Sequence, residues 1–246
     1  MNIHRSTFQS ATYLSLPYPL YDVIYHDACY FGYLKGDTPN INGFLNHLIP
    51  ALSDFHDNLH NRFLDFLDGD ETRTQSVEQS ILHVYLDPFG ANYDTLKKVP
   101  FRVTEKSMED FLRIHDIKLE YYKTDFSGYI RTLLADYTSR TVNQRECLFS
   151  YRMLPTLKTA IEQGLSCHFY CADQTFVFVP VCLEISPVSR RNLICGISAV
   201  TNEDVVLALS SVLSIAPGTS HHDFTDEDCS LLFDTVEKFF EKEKTV

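Results

Sequence analysis

Residues 96–152 read LKKVPFRVTEKSMEDFLRIHDIKLEYYKTDFSGYIRTLLADYTSRTVNQRECLFSYR, and the fold assignment turns on them. They open with a period-2 pattern. Val99, Phe101 and Val103 alternate with Pro100, Arg102 and Thr104, which predicts a half-buried strand over 99–104. Pro100 cannot donate to a central ladder, so the strand is short or lies at an edge. The period then changes. Met108, Phe111, Leu112 and His115 fall at helical spacing, as do Phe126, Tyr129, Ile130, Leu133, Leu134 and Tyr137. Thr124 or Asp125 supplies the N-cap of the second helix.

The same stretch concentrates positive charge. It holds eleven of the 21 basic residues against eight acids, a local +3 in a chain of net −12, which leaves −15 elsewhere. A protein this acidic does not bind polyanions over its whole surface, so only a local basic face can serve.

Strand, helix, loop, helix within about fifty residues resembles a ribbon-helix-helix module. In that family two copies pair their strands into a ribbon that enters the DNA major groove. The resemblance implies that Arg102 and Thr104 read bases. It also implies that Ser127 and Gly128, at the start of the second helix, anchor a phosphate. Lys97, Lys98, Lys123 and Arg131 are the accompanying cations. Residues 8–67 read as a second, less obvious copy. Ser10–Leu16 is strand-like, Leu20, Val23, Ile24, Asp27, Ala28 and Phe31 form a helical face, and Gly32 and Gly36 break it. A longer helix opens at Thr38-Pro39-Asn40, with the stripe Ile41, Phe44, Leu45, Leu48, Ile49, Leu52, Phe55 and Leu59 and a kink expected at Pro50. Residues 1–70 carry three basic and eight acidic residues, so this half is expected to be structural, with Asn40 and Asn42 its polar candidates. The two halves are free to pair within or between chains. Residues 68–95 connect them: a polar loop, then a helix on Val77, Ile81, Leu82 and Tyr85, ended by Pro88 and Gly90.

Beyond residue 150 the character changes. Leu154, Leu157, Ala160 and Ile161 make a short helix closed by Gly164. Apolar, β-branched and aromatic runs follow at 165–170, 175–184, 192–197 and 205–209, separated by turn signals, which predicts a small antiparallel barrel or sandwich. The order over residues 152–215 resembles a WYL domain, a small Sm-like β-barrel of bacterial regulators. Ala160-Ile161 fits its leading helix, Tyr170 its first strand end, and Pro180 with Leu183 its second. The Trp-Tyr-Leu position is Asn192-Leu193-Ile194 here, and both arginines of the final motif are absent from Ala208–Val212. Arg190 and Arg191, in the preceding loop, are the nearby basic residues and the candidate ligand contacts. A capping-box start at Thr225–Asp228 opens a C-terminal amphipathic helix on Leu231, Leu232, Val236, Phe239 and Phe240.

The expected architecture is therefore α+β. A mainly helical ribbon-helix-helix-like domain spans 1–150, and an Sm-like, WYL-like barrel with a C-terminal helix spans 151–246. The combination resembles WYL-domain regulators, and among them the WYL accessory proteins of type VI-D CRISPR systems. They share the leading helix pair, the strand around Arg102, the helix Arg131-Thr132-Leu133-Leu134-Ala135-Asp136-Tyr137 and Arg145-Glu146 before the barrel. The resemblance implies homodimers that bind nucleic acid. Three functions remain open: a DNA-binding transcriptional regulator, which is preferred; a single-stranded RNA binder that modulates an effector protein, served by Tyr121-Tyr122-Lys123 and Tyr129–Arg131; and a protein-interaction module without nucleic-acid binding.

No nucleotide-binding, hydrolase or metalloprotease motif is found, so no enzyme and no cofactor are expected. Cys167, His168 and Cys171 are wrongly spaced for zinc. Seven scattered cysteines, no secretory signal and no apolar run of membrane length point to a cytoplasmic protein with reduced thiols and no membrane association.

Overall fold

A computed structural model describes residues 12–86, 96–122, 124–198, 200–222 and 224–244. The chain divides into two compact units, Met1–Arg140 and Thr141–Val246. The division falls ahead of residue 150. Helix α7 (Val142–Phe149) belongs with the second unit, where its buried Glu146 accepts from the Asn192 backbone N–H (2.6 Å) and from Asn192 Nδ2 (2.8 Å).

In the first unit, β1 (Thr12–Pro17) leads directly into α1 (Tyr18–Tyr30). Pro19 sits in the first turn of α1, where its missing N–H costs nothing. A two-residue hairpin follows, β2 (Leu34–Lys35) and β3 (Thr38–Pro39), turning at Gly36 with φ 62°. Helix α2 (Ile41–Phe66) then runs through Pro50 as one element, and α3 (Glu71–Leu86) returns against it. The stops expected at Pro88 and Gly90 lie outside the described residues. After β4 (Leu96–Phe101) come a 3₁₀ turn (Glu105–Ser107), α4 (Met108–Arg113), a π-helical turn (Ile114–Lys118), α5 (Leu119–Tyr122) and α6 (Phe126–Thr138).

Strands β1 and β4 pair antiparallel within the chain, Tyr13 facing Pro100 and Ser15 facing Lys98. The alternation expected around Pro100 holds: Val99, Phe101 and Val103 are buried, while Lys98, Pro100, Arg102 and Thr104 are exposed. The strand ends at Phe101, however, so Arg102 and Thr104 lie beyond it. Two amides of α2 hold them there. Asn42 Oδ1 accepts from the Arg102 backbone N–H (2.7 Å). Asn46, nearly fully buried, accepts from the Thr104 N–H (2.8 Å) and donates to the Arg102 carbonyl (2.9 Å). These bonds replace the ladder the chain has left, as buried backbone groups require. The core beneath contains Leu14, Leu16, Ile24, Phe44, Leu48, Leu52 and Ile130, with the rings of Phe101, Phe111 and Phe126 in mutual contact.

In the second unit, α8 (Leu154–Gln163) ends at Gly164, whose φ of 61° makes the left-handed stop. Five strands follow: β5 (Leu165–Cys171), β6 (Thr175–Ile185), β7 (Asn192–Ser198), β8 (Asp204–Ala208) and β9 (Val212–His221). They form one antiparallel sheet in the order β8-β7-β6-β5-β9. The barrel expectation is corrected here. Among the described residues β8 bonds only to β7 and β9 only to β5, so the sheet is open at both edges. One face carries Phe169 stacked on Phe178 (centroids 4.1 Å) and packs against α8; the other lies under α9 (Asp226–Glu243), through Leu232 and Val236. Thr225 and Asp228 form the expected capping box.

Candidate nucleic-acid interface

The charge count that singled out residues 96–152 overstates their free charge. Arg113 pairs with Asp54 and with Asp57 (3.6 Å), Lys118 pairs with Asp57, and Arg140 grips the buried Asp136 at 2.9 and 3.0 Å. Acids of α2 and α6 neutralise these three cations. Asp136 shows the electrostatic result. Burial alone would raise its carboxyl, but His56 (3.3 Å) and Arg140 outweigh burial and hold it below the usual carboxylate range.

The phosphate anchor at the start of α6 is occupied by the protein itself. Asp125 caps this helix, its Oδ1 accepting from the Gly128 N–H at 2.6 Å. A carboxylate at that point satisfies the donor a phosphate would need and repels a second anion. Ser127 is half-buried in the first turn beside it. The aromatic partners expected for single-stranded RNA are also withdrawn. Tyr129 is 2% exposed, and Tyr121 and Tyr122 turn their hydroxyls to Glu78 at 3.2 and 3.4 Å. Burial first, then Glu78, raises both phenols. The space beside this junction, between His56, Glu78, Tyr122 and Asp136, is about 50 Å³, too small for a nucleotide. No group of three or more His, Cys, Asp or Glu side chains among the described residues is placed to hold a metal. Lys123 lies outside the described residues, and Arg131 is half-buried on α6.

The open basic surface lies instead where the two halves meet. A groove of about 290 Å³ separates β4 from the β2–β3 hairpin and the first turn of α2. Lys97 and Lys98 line one wall, Lys35, Thr38 and Asn40 the other, and Tyr21, Ile41, Val99 and Pro100 give it apolar surface. Asn40 caps α2 through Oδ1 to the Gly43 N–H at 3.0 Å, so a neutral amide, not a carboxylate, stands at this helix start. The Lys97 ammonium lies 5.3 Å from the Tyr21 ring centroid, a cation–π distance.

Tyr21 is the middle of a row. Tyr18, Tyr21 and Tyr25 recur at helical spacing on α1, with ring centroids 6.4 and 6.0 Å apart. Tyr18 is 50% and Tyr25 38% exposed, and Tyr13 on the outer face of β1 is 61% exposed. Of the residues named from the sequence, Lys97, Lys98, Asn40 and Asn42 are thus brought to one groove. Arg102 and Thr104 are fixed by their backbones at the end of β4, Thr104 also meeting Ser107 Oγ at 2.9 Å. Lys35 and the tyrosine row were missed, although tyrosines at 18, 21 and 25 were readable as a second stripe beside the apolar one. In the second unit, Arg190 and Arg191 occupy the exposed β6–β7 turn. Arg190 takes φ 59°, and Ser186 bonds the backbone of both (3.0 and 2.9 Å).

No family model matches this chain, and neither does any curated protein. Among solved structures, a CRISPR Cas-related protein has a similar fold, with a TM-score of 0.59 and 13% identity over 90% of this chain. The present chain spans 65% of that protein's chain. No helix among the described residues is long and apolar enough to cross a membrane.

Proposed function

We propose that this chain is a single-stranded RNA-binding accessory protein of a CRISPR effector, without catalytic activity of its own. The observation that carries this reading is the exposed tyrosine row of α1 beside a groove lined by three lysines. Stacking surfaces next to a cationic track are what a flexible single strand requires, because each base offers a π-face and each phosphate a charge. The likeness in fold to a CRISPR Cas-related protein supports the CRISPR association. The resemblance to WYL accessory proteins of type VI-D systems favours RNA as the strand, an effector protein as partner and a homodimeric state.

The rival is a duplex-DNA regulator reading the major groove with its ribbon. The outward positions Lys98 and Arg102 support it. Two features count against it. The first strand offers Tyr13 and Ser15 where Lys98 and Pro100 stand on its partner, so the ribbon lacks matched readers, and the phosphate anchor at α6 is closed by Asp125.

Fluorescence anisotropy against labelled single-stranded RNA, single-stranded DNA and duplex DNA, each across a salt series, separates these readings. The expected result is binding to the single strands, RNA the tighter, with a salt slope reporting phosphate contacts. Preference for duplex DNA would favour the regulator. Absence of binding to all three at low salt would leave a protein-interaction module.

A further inference from the structure

Two of the seven cysteines face each other across the sheet of the second unit. Cys182 on β6 and Cys195 on β7 are register partners, beside the bulge between Pro180 and Cys182. Facing Cα atoms of an antiparallel pair lie about 4.5–5.5 Å apart, within the span of roughly 4.4–6.8 Å that a disulfide bridges. The other cysteines of this sheet have no such partner: Cys167 faces Phe178 and Pro217, and Cys171 faces Val212.

The two thiols also differ in a way that assigns them roles. Cys195 is fully buried, packed with Leu193, Leu232 and Val236 under α9, whereas Cys182 is partly exposed. The Cys195 thiol donates to the Leu193 carbonyl at 3.8 Å, on the strand that faces Cys182. The neighbouring thiol lowers Cys182 against the opposing effects of burial and Glu184, and with burial and Glu184 it raises Cys195. Cys182 is therefore the thiol that a soluble disulfide reaches first, and the buried Cys195 is the one placed to resolve it.

We propose that Cys182 and Cys195 form a dithiol site that a small disulfide of the glutathione class oxidises reversibly. The Cys182 thiolate attacks one sulfur of oxidised glutathione. That S–S bond breaks, and one glutathione leaves as the thiolate, which takes up a proton. Cys195 then gives up its proton and attacks the Cys182 sulfur of the mixed disulfide, expelling the second glutathione. The sum is one protein disulfide formed and one glutathione disulfide reduced to two thiols. The bond ties β6 to β7 across the hairpin that carries Arg190 and Arg191.

The test uses the intact, unsubstituted chain. It is equilibrated across a series of reduced-to-oxidised glutathione ratios, quenched with an alkylating agent and mapped by peptide mass spectrometry. The expected result is a Cys182–Cys195 linked species, two hydrogens lighter, that accumulates toward the oxidising end while Cys167 and Cys171 show no linkage to any other cysteine. Cys195→Ser should stop at a glutathione adduct on Cys182, and Cys182→Ser should leave Cys195 unmodified. Linkage that appears only in urea, or a Cys182 adduct that persists unresolved in the unsubstituted chain, would overturn the proposal.

Discussion

Two helices of the first unit begin alike and differ in one side chain. α2 starts at Asn40 and α6 at Asp125; both residues cap through Oδ1 to the N–H three positions on. The cap of α2 is neutral and opens onto a groove with three lysines, while the cap of α6 is a carboxylate. A helix N-terminus attracts anions only while its own cap leaves that potential unspent. The half of the first unit with the higher local charge is therefore closed at its own helix start, and it reaches the open groove only through Lys97 and Lys98 at its first strand. The half that carries −5 in its first seventy residues supplies Lys35, Asn40 and the tyrosines of the open site.

The largest expected effect comes from removing the groove's charge. Lys35→Ala, Lys97→Ala and Lys98→Ala together should make the slope of log K against log salt for single-stranded RNA shallower by about 2, at roughly 0.7 per phosphate contact, and weaken binding about a hundredfold at 0.1 M salt. Salt-dependent anisotropy measures both. Next in size, Tyr18→Ala should cost about 1–3 kcal/mol of binding, the usual worth of one stacked base, and leave the salt slope unchanged. A change in slope would mean that the tyrosine acts through the lysines rather than by stacking.

A swap of the caps sharpens the comparison. Asn40→Asp should stabilise the fold by about 0.3–1 kcal/mol, through the helix dipole, while weakening RNA binding severalfold. Denaturant melts and anisotropy on the same variant read these opposite signs. The smallest effect is expected at the other helix start. Asp125→Asn keeps a capping oxygen and should leave RNA affinity unchanged, whereas Asp125→Ala should cost about 1 kcal/mol of stability. A tighter complex with Asp125→Asn would show that an anion does approach α6.

The elements themselves were legible because each follows a local rule. Period-2 alternation gave the strand around Pro100, and 3.6-residue periodicity gave α2 and α6. The caps at Asn40, Asp125 and Thr225 matched their residue types. What could not be read depended on partners distant in sequence. Whether β1 and β4 pair in one chain is invisible to periodicity, because the same faces are buried either way. Strands β5–β9 were visible as runs, but a barrel closes only if its edge strands meet, and no local pattern reports which edges bond. Charge failed for the same reason: Arg113, Lys118 and Arg140 counted as positive until α2 and α6 placed Asp54, Asp57 and Asp136 against them.

The central claim is the location of the site, and photochemical cross-linking reads location directly. Single-stranded RNA carrying 4-thiouridine would be irradiated with the full chain and the adducts mapped by mass spectrometry. The account predicts cross-links concentrated in residues 6–35, which hold Tyr13, Tyr18, Tyr21 and Tyr25, and in the segment around Lys97 and Lys98. Cross-links confined to residues 124–131 or to the turn at Arg190 and Arg191 would contradict it.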